Sequence, residues 1–227
     1  MSWDKENFYQ FIIGNQIVGF FKEPLKLKSG RHSYWYINWR NVAEDVYSLD
    51  KLSNYVIGFV NSLGLEPDCF YGVPEGATKL GIITQYKWAK NSTNYGQNTH
   101  ILSMGRARPK EHGDPKDKLF LGIPKGNVVV LEDVTTTGGS LLETIDKLNE
   151  IQVNIIAAIG ITNRNELRED KKSVEEAVRE KGVPYYAMSN ALELLPRIFN
   201  ILKPGENTGK HIENYFKQYG IEELKLL

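Results

Sequence analysis

Short apolar runs, each followed by polar residues and then by apolar residues at helical spacing, recur along the chain. These runs lack the polar alternation of a half-exposed strand, which is typical of parallel strands buried on both faces. They predict strands at residues 68–72, 128–131, 154–162 and 185–188, with a further candidate at 100–104. Helical spacing predicts helices at residues 47–63, around 82–86, and at 140–151, 174–181 and 191–201. This alternation predicts an α/β fold, in which helices flank a parallel sheet.

The two ends of the chain depart from this alternation. Residues 5–21 predict a short helix that Gly14 ends, and residues 25–40 predict two strands around a Ser-Gly turn. Residues 203–211 superficially suggest a nucleotide P-loop, but the spacing is one residue short and no Ser or Thr follows the lysine, so we interpret them as a linker before one last helix. We expect an N-terminal hood (1–45), an α/β core (46–200) and a C-terminal helical tail (201–227).

The unit around residues 128–151 carries the densest candidate chemistry. Its apolar run ends in Glu132 and Asp133, at the sheet edge where open α/β folds bind ligands. Three threonines, two glycines and a serine follow at residues 135–140, and they lead into a helix whose first N–H groups lack partners. These groups form a cradle for phosphate, and the carboxylates suit hydroxyls or a metal, so a ribose 5-phosphate fits both. The alternative is an ordinary capped helix, but capping needs only one hydroxyl.

Composition and charge narrow the function classes. The chain has 227 residues, with 28 basic and 28 acidic side chains, and this zero net charge argues against a nucleic-acid partner. Cys69 is the single cysteine, which excludes an internal disulfide and a multi-cysteine zinc site. The first residues are too polar for a secretory signal and no apolar stretch approaches membrane-spanning length, so we expect a cytoplasmic protein without a membrane partner.

Residues 132–140 closely resemble the signature with which type I phosphoribosyltransferases bind 5-phosphoribosyl 1-diphosphate (PRPP). The resemblance implies that fold, with a hood, and assigns PRPP to Glu132, Asp133, Val134, Thr135, Thr136, Thr137, Gly138, Gly139 and Ser140. It also places a second loop against the diphosphate, at Pro74, Glu75, Gly76 and Lys79. Many related enzymes carry a lysine where Gly76 stands; Lys79 is either its replacement or a solvated side chain.

The segment from Leu27 to Asn38 is similar to the N-terminal motif of orotate phosphoribosyltransferases, the pyrimidine-synthesis branch of that family. The matching stretch is Leu-Lys-Ser-Gly-Arg-x-Ser at residues 27–33. The resemblance implies that orotate contacts Lys28, through its carboxylate, and also Tyr36, Ile37 and Thr136. The chain departs from the motif at Tyr34, where the family usually has proline. Without the resemblance, a charged surface hairpin is the alternative.

The stretch after residue 105 lacks periodicity and is rich in Gly, Pro and charge, which is typical of a functional lid or a solvated insertion. Residues 106–113 resemble the catalytic loop of the same branch, although Ala107 replaces its second basic residue. The resemblance implies a catalytic lid, and with Asp133 it gives the candidate catalytic residues Arg106, Arg108, Lys110 and His112.

Arg164 follows the strand predicted at residues 154–162. In the family the matching arginine contacts the pyrimidine carbonyl. It follows an aspartate and precedes a Glu-Gly pair, whereas this chain has Asn163 and lacks the glycine. The alternative is an arginine paired with Glu166 or Glu169 at a strand end.

Together the resemblances imply a reaction of orotate with PRPP that gives orotidine 5′-monophosphate and diphosphate. They imply Mg²⁺ carried mainly by the diphosphate, with no dedicated protein ligand, and a homodimer in which the lid serves the neighbouring subunit's site. Two alternatives remain. The chain could use another base, as the changed residues around Arg164 allow, or it could be a PRPP-sensing regulator without catalysis.

Overall fold

The computed structural model describes residues 2–106, 110–112 and 119–227. The helices in these ranges are α1 (Lys5–Gly14), α2 (Arg40–Ala43), α3 (Val46–Ser62), α4 (Thr78–Lys90), α5 (Gly139–Glu150), α6 (Val174–Arg179), α7 (Ala191–Leu202) and α8 (Glu206–Tyr219). The strands are β1 (Val18–Lys26), β2 (His32–Ile37), β3 (Cys69–Gly72), β4 (Met104–Gly105), β5 (Phe120–Leu121), β6 (Asn127–Thr135), β7 (Asn154–Asn163) and β8 (Tyr185–Asn190). No helix of this described part is both long and apolar enough to cross a membrane.

The central sheet has four parallel strands in the order β3-β6-β7-β8. Successive side chains of a strand point to opposite faces, and the core divides accordingly. Val129 and Leu131 join one hydrophobic cluster, whereas Val128 and Val130 join another. Burial on both faces explains why β6 is apolar without alternation, and the predicted α/β fold with a parallel sheet is confirmed.

Strand β6 is longer than its apolar run. It continues through Glu132 and Asp133 to Thr135, because β7 continues beside it and keeps the backbone groups paired: Glu132 lies opposite Gly160, and Thr135 lies opposite Asn163. The two carboxylates therefore lie within the last part of the strand and not in the loop beyond it. A regular backbone thus determines their directions.

The strand predicted at residues 100–104 is wrong for most of its length. Only Met104 and Gly105 pair, in a separate two-stranded antiparallel ribbon with β5. The Gln85 side chain occupies the place of a further strand beside β3: it accepts from Phe70 N–H at 2.9 Å and donates to the carbonyl of Ile101 at 2.8 Å. A side chain from α4 thus satisfies the backbone where an extended strand would pair.

The linker predicted at residues 203–211 is also wrong in part. Helix α8 begins at Glu206, so only the first three residues connect α7 with α8. The helix forms because Ile212, Tyr215 and Phe216 can be buried on one face. Phe216 stacks with Trp35 of β2 at a centroid distance of 6.0 Å, so the tail packs against the hairpin.

The hood consists of α1 and the antiparallel β1–β2 hairpin, whose turn places Gly30 at φ 83°. Its aromatic residues do not form a separate core. Phe8 and Trp35 belong to the same hydrophobic cluster as Leu131 of the sheet and Phe216 of the tail. We propose that hood, core and tail are segments of the chain that share one hydrophobic core.

Candidate active site

A cavity of about 800 Å³ opens at the carboxyl edge of the sheet. The hairpin, the β3–α4 loop, the β6–α5 loop and the end of β7 all contribute to its wall. The lining residues that the sequence predicted are Lys28, Tyr36, Ile37, Pro74, Glu75, Gly76, Arg106, Glu132, Asp133, Val134, Thr136, Thr137, Gly138, Gly139, Ser140 and Arg164. Residues that are more than 130 positions apart in the sequence thus share one cavity.

The β6–α5 loop has the geometry of an anion cradle. Gly138 adopts a left-handed conformation at φ 70°, and a Cβ atom there would lie 3.0 Å from Val174 Cγ1. Helix α5 begins at the next residue, so its first N–H groups face the cavity side of the loop without helical acceptors. Thr136, Thr137 and Ser140 line the same wall. Backbone donors and hydroxyls therefore converge where phosphate was predicted.

Thr135 is placed differently from the other predicted hydroxyls. It is still in strand β6, its side chain is buried, and its hydroxyl lies 2.6 Å from the Tyr185 hydroxyl. It does not line the cavity. Any role of Thr135 toward a ligand is therefore confined to its backbone and to support of the loop.

Arg168 holds this loop from outside, a role that sequence reasoning did not assign. Its guanidinium donates through Nη1 to the carbonyl of Thr137, which fixes the turn before α5. Arg168 also pairs with Asp170, at 3.3 Å between Nε and Oδ1. Only its position after β7, near the end of a neighbouring parallel strand, could have indicated that it reaches the loop.

The two carboxylates of β6 have different environments. Glu132 is 6% exposed, and burial raises the pKa of its carboxyl well above the usual range, with the charge of Asp133 adding to that shift. Asp133 faces the β3–α4 loop. A Cβ on Gly76 would lie 2.5 Å from Asp133 Oδ2, so a larger residue at this position would displace the carboxylate. Both side chains line the cavity and can accept from hydroxyl groups.

Lys79 lies outside the cavity lining. Its ammonium donates to the carbonyl of Ala43, at the end of α2, over 3.0 Å. Arg40, at the start of the same helix, lines the cavity instead, together with Pro74 and Glu75. Sequence reasoning did not assign Arg40; the only signal was its place at the end of the basic stretch from Lys22 to Arg40.

Lys28 connects the hairpin with the anion cradle. Its ammonium donates to the Ser140 hydroxyl at 2.8 Å, so the side chain spans the cavity from the hairpin turn to the start of α5. Tyr36 and Ile37 of β2 line the wall beside it. A flat anionic group could lie against this wall, with the lysine as its counter-ion.

Arg164 is both a paired arginine and a lining residue. Only 2% exposed, it donates through Nε to Glu166 Oε1 at 2.7 Å and through Nη2 to Ser33 Oγ at 3.1 Å. Its guanidinium lies 3.7 Å from the ring centroid of Trp35. The pairing with Glu166 that the sequence left open is therefore present, and it coexists with contact to the cavity.

Of the predicted lid, Arg106 lines this cavity. Its backbone N–H donates to the carbonyl of Leu119 at 2.9 Å, beside the β4–β5 ribbon that joins the two ends of the segment. Lys110 and His112 are exposed and do not line the cavity. Arg108 lies outside the described residues.

The oxygen donors of the cavity suit a hard cation that brings ligands of its own. Among residues 2–106, 110–112 and 119–227, no group of three or more His, Cys, Asp or Glu side chains could hold a metal ion. Glu132 and Asp133 can supply carboxylate oxygens, and Mg²⁺ is commonly held by one or two carboxylates with substrate phosphates and water. The residues present therefore fit Mg²⁺ that arrives on a phosphorylated ligand.

Comparison with known proteins gives a consistent result, although no family model matches the chain. An orotate phosphoribosyltransferase of Rhodopseudomonas palustris (strain BisB5) is 30% identical over 196 residues, which cover 82% of this chain and 94% of that relative. A crystal structure of orotate phosphoribosyltransferase from Francisella tularensis aligns with a TM-score of 0.65 at 22% identity, over 94% of this chain and 99% of that one.

The fold likeness extends to a structure with a bound ligand. Orotate phosphoribosyltransferase of Mycobacterium tuberculosis in complex with PRPP aligns with a TM-score of 0.57 at 15% identity, over 84% of this chain and 98% of that one. At such identities the structures support the fold alone, whereas the Rhodopseudomonas relative matches over nearly its own full length. The chain belongs to the orotate phosphoribosyltransferase family.

Proposed function

We propose that the chain transfers the 5-phosphoribosyl group of PRPP to orotate, which gives orotidine 5′-monophosphate and diphosphate. One observation carries the proposal: a single cavity joins an anion cradle at the start of α5, two adjacent carboxylates on β6, and a cationic aromatic wall containing Lys28 and Arg164. These three features match the phosphate, the ribose hydroxyls and the flat anionic base of the two substrates.

The phosphate half of the cavity would hold PRPP. The first N–H groups of α5, with Thr136, Thr137 and Ser140, surround the site where the 5-phosphate would bind. Asp133 and Glu132 would accept hydrogen bonds from the ribose hydroxyls. Gly76 and its neighbours in the β3–α4 loop would approach the diphosphate, with Arg40 as a nearby cation.

The base half would hold orotate against the hairpin. Lys28 would leave Ser140 and pair with the carboxylate of the base, while Arg164 donates to a ring carbonyl and Tyr36 and Ile37 cover its face. This arrangement would place the attacking ring nitrogen on the side of the ribose carbon opposite the diphosphate. Orientation of the two substrates would thus supply a large part of the rate enhancement.

The reaction is a substitution at ribose C1 through an oxocarbenium-like state, while negative charge builds on the departing diphosphate. Arg106 would meet that charge from within the same chain. Glu132 and Asp133 could also supply carboxylate oxygens to Mg²⁺ carried by the diphosphate, and the metal would offset part of this charge. Closure of the lid would exclude the water that otherwise hydrolyses PRPP.

We further propose a homodimer whose lids are exchanged. Lys110 and His112 are exposed and outside the cavity of their own chain, so the family's catalytic loop would contribute these residues, with Arg108, to the neighbouring subunit's site. A mixed dimer tests this point. Lys110→Ala chains combined with Asp133→Asn chains should regain activity if lids are exchanged, because one site of the mixed dimer is then complete.

The proposed reaction is tested by incubating purified protein with Mg²⁺, PRPP and one of orotate, uracil, adenine, guanine or hypoxanthine. Nucleotide formation and diphosphate release are both followed. We expect turnover with orotate alone. Turnover with another base would keep the PRPP half and refute the base half, whereas tight PRPP binding without product from any base would indicate a regulator.

A further inference from the structure

A buried carboxylate joins the base half of the cavity to the C-terminal helix. The side chain of Glu166 is fully buried and accepts from three donors. Arg164 donates Nε to Oε1 at 2.7 Å, Arg31 donates Nη1 to Oε2 at 2.8 Å, and the Tyr215 hydroxyl donates to Oε2 at 2.8 Å. The hairpin, the segment after β7 and helix α8 therefore meet at one carboxylate.

This junction fixes the direction of Arg164. Glu166 takes Nε, Ser33 takes Nη2, and the guanidinium plane rests on Trp35. The Tyr215 hydroxyl also interacts with the Arg164 guanidinium. Since Arg164 lines the cavity, its guanidinium offers N–H groups of fixed direction to a ligand. A guanidinium held by two partners and a ring loses little freedom when it binds.

The tail holds the segment that carries Glu166. At the end of α8 the carbonyl of Tyr219 accepts from Leu167 N–H at 2.6 Å, and Ile221 N–H donates to the carbonyl of Asn165 at 2.9 Å. Arg31 closes the arrangement from the hairpin, because its guanidinium lies 4.5 Å from the Tyr219 ring centroid. Helix α8 thus contacts both the backbone around Glu166 and its carboxylate.

We infer that Tyr215 and Glu166 are positioning residues, which hold Arg164 in the direction that binds the base, so that the C-terminal helix sets the affinity for the base and not for PRPP. The inference rests on the proposed function, because it concerns the base half of that site. A buried carboxylate with two arginines must keep all its donors to remain favourable, since an unpaired buried charge is costly. Loss of the Tyr215 hydroxyl would leave Glu166 with one donor fewer. The carboxylate would then shift, and Arg164, which it holds, would shift with it.

The test is Tyr215→Phe, which removes one hydroxyl and keeps the buried ring. We expect the KM for orotate to rise about tenfold, because a displaced substrate-orienting group holds its substrate less well, while the KM for PRPP stays within about twofold. The matched control is Tyr9→Phe. Tyr9 also donates its hydroxyl to a glutamate, Glu193 Oε2 at 3.0 Å, but it does not line the cavity. The control should leave both KM values unchanged.

Glu166→Gln provides a second variant that keeps the shape of the side chain. We expect it to raise the KM for orotate more than Tyr215→Phe does, again without a matching change for PRPP. Melting temperatures of all three variants separate loss of fold from loss of position. If Glu166→Gln does not fold, the KM values of Tyr215→Phe alone decide whether Arg164 is positioned in this way.

Each outcome has one interpretation. Equal changes in the two KM values, or no change in the KM for orotate, would overturn the positioning role while the wild-type rate still supports the proposed function. Absence of wild-type turnover with orotate would instead refute the proposed function, and the inference would fall with it. A rise confined to the KM for orotate would support the inference.

Discussion

The phosphate half and the base half of the cavity are built in different ways. The phosphate half consists mainly of contiguous residues, 132–140, which form the end of β6 and the start of α5. The base half depends on contacts between distant segments, because Arg31, Arg164 and Tyr215 all hydrogen-bond to Glu166. The first is a local motif on a rigid element, whereas the second is an assembly of hood, core and tail.

This difference determines what a substitution does. In the phosphate half, the main effect of a substitution is steric, since a Cβ at Gly76 would displace the Asp133 carboxylate. In the base half, the main effect of a substitution is the loss of a hydrogen-bond partner that fixes the direction of the buried Arg164 guanidinium. Substitutions in the phosphate half should therefore change the affinity for PRPP, and substitutions in the base half should change the affinity for the base.

The largest effect is expected for Gly76→Ala. An added Cβ would lie 2.5 Å from Asp133 Oδ2, so the carboxylate must move away from the ribose hydroxyls. Loss of two charge-assisted hydrogen bonds of about 2 kcal/mol each corresponds to about a 1,000-fold fall in kcat/KM for PRPP. Steady-state kinetics at saturating orotate measures this. The control is Gly14→Ala, since nothing lies within 4 Å of a Cβ there. Unchanged kinetics for Gly76→Ala would mean that Asp133 is structural.

Arg164→Lys should produce the next largest effect, confined to the base. Lysine keeps the charge but loses the planar contact with Trp35 and cannot serve Glu166 and Ser33 together. We expect the KM for orotate to rise by about 30- to 100-fold, which corresponds to about 2–3 kcal/mol. Arg168→Lys is the matched exchange in the other half, because Arg168 holds the carbonyl of Thr137.

Arg168→Lys should raise the KM for PRPP and leave that for orotate nearly unchanged. Titrating each substrate at saturation of the other distinguishes the two variants. If both arginine exchanges altered the same KM, the division of the cavity into two halves would be refuted.

The sequence predicted the local half better than the assembled half. Contiguous residues reveal a strand, a loop and a helix start through their pattern, so the cradle and both carboxylates could be assigned. The pattern does not show which way a single side chain turns: Thr135, at the end of β6, turns to Tyr185, and Lys79, in the first turn of α4, turns to Ala43. The long-range partners of Arg164 were equally hidden, because nothing in the periodicity of α8 indicates that Tyr215 reaches Glu166.

The strand expected at residues 100–104 failed for a related reason. Its composition favours an extended segment, but Gln85 already pairs with the Phe70 N–H of β3 and with the carbonyl of Ile101 in the segment itself. A single side chain on α4 therefore overrides local propensity. Such competition depends on the packed structure, and sequence pattern alone does not reveal it.

A smaller effect, on stability, is expected for Glu132→Gln. The pKa of Glu132 is raised in the fold by burial and by Asp133, so its ionised form costs stability as pH rises from its unfolded pKa through the folded one. Below about pH 4 both states are protonated and the cost disappears. Removing the charge should stabilise the ligand-free protein by about 1 kcal/mol, or about 2–4 °C in melting temperature, at pH 8.

The same gain should shrink toward zero as the pH is lowered to about 4. Thermal melts of wild type and Glu132→Gln across this range measure the difference. A gain that is constant with pH would show that the substitution acts through packing and not through the buried charge.

The smallest effect is expected for Lys79→Met. The ammonium of Lys79 is engaged with the carbonyl of Ala43 and does not line the cavity, so its loss should lower stability by about 1 kcal/mol or less and leave the KM for PRPP within about twofold. Arg40→Met is the informative partner, because Arg40 lines the cavity beside the β3–α4 loop. It should raise the KM for PRPP several-fold with little change for orotate. The reverse result would return to Lys79 the role that the sequence first assigned to it, with the side chain moving to the diphosphate on binding.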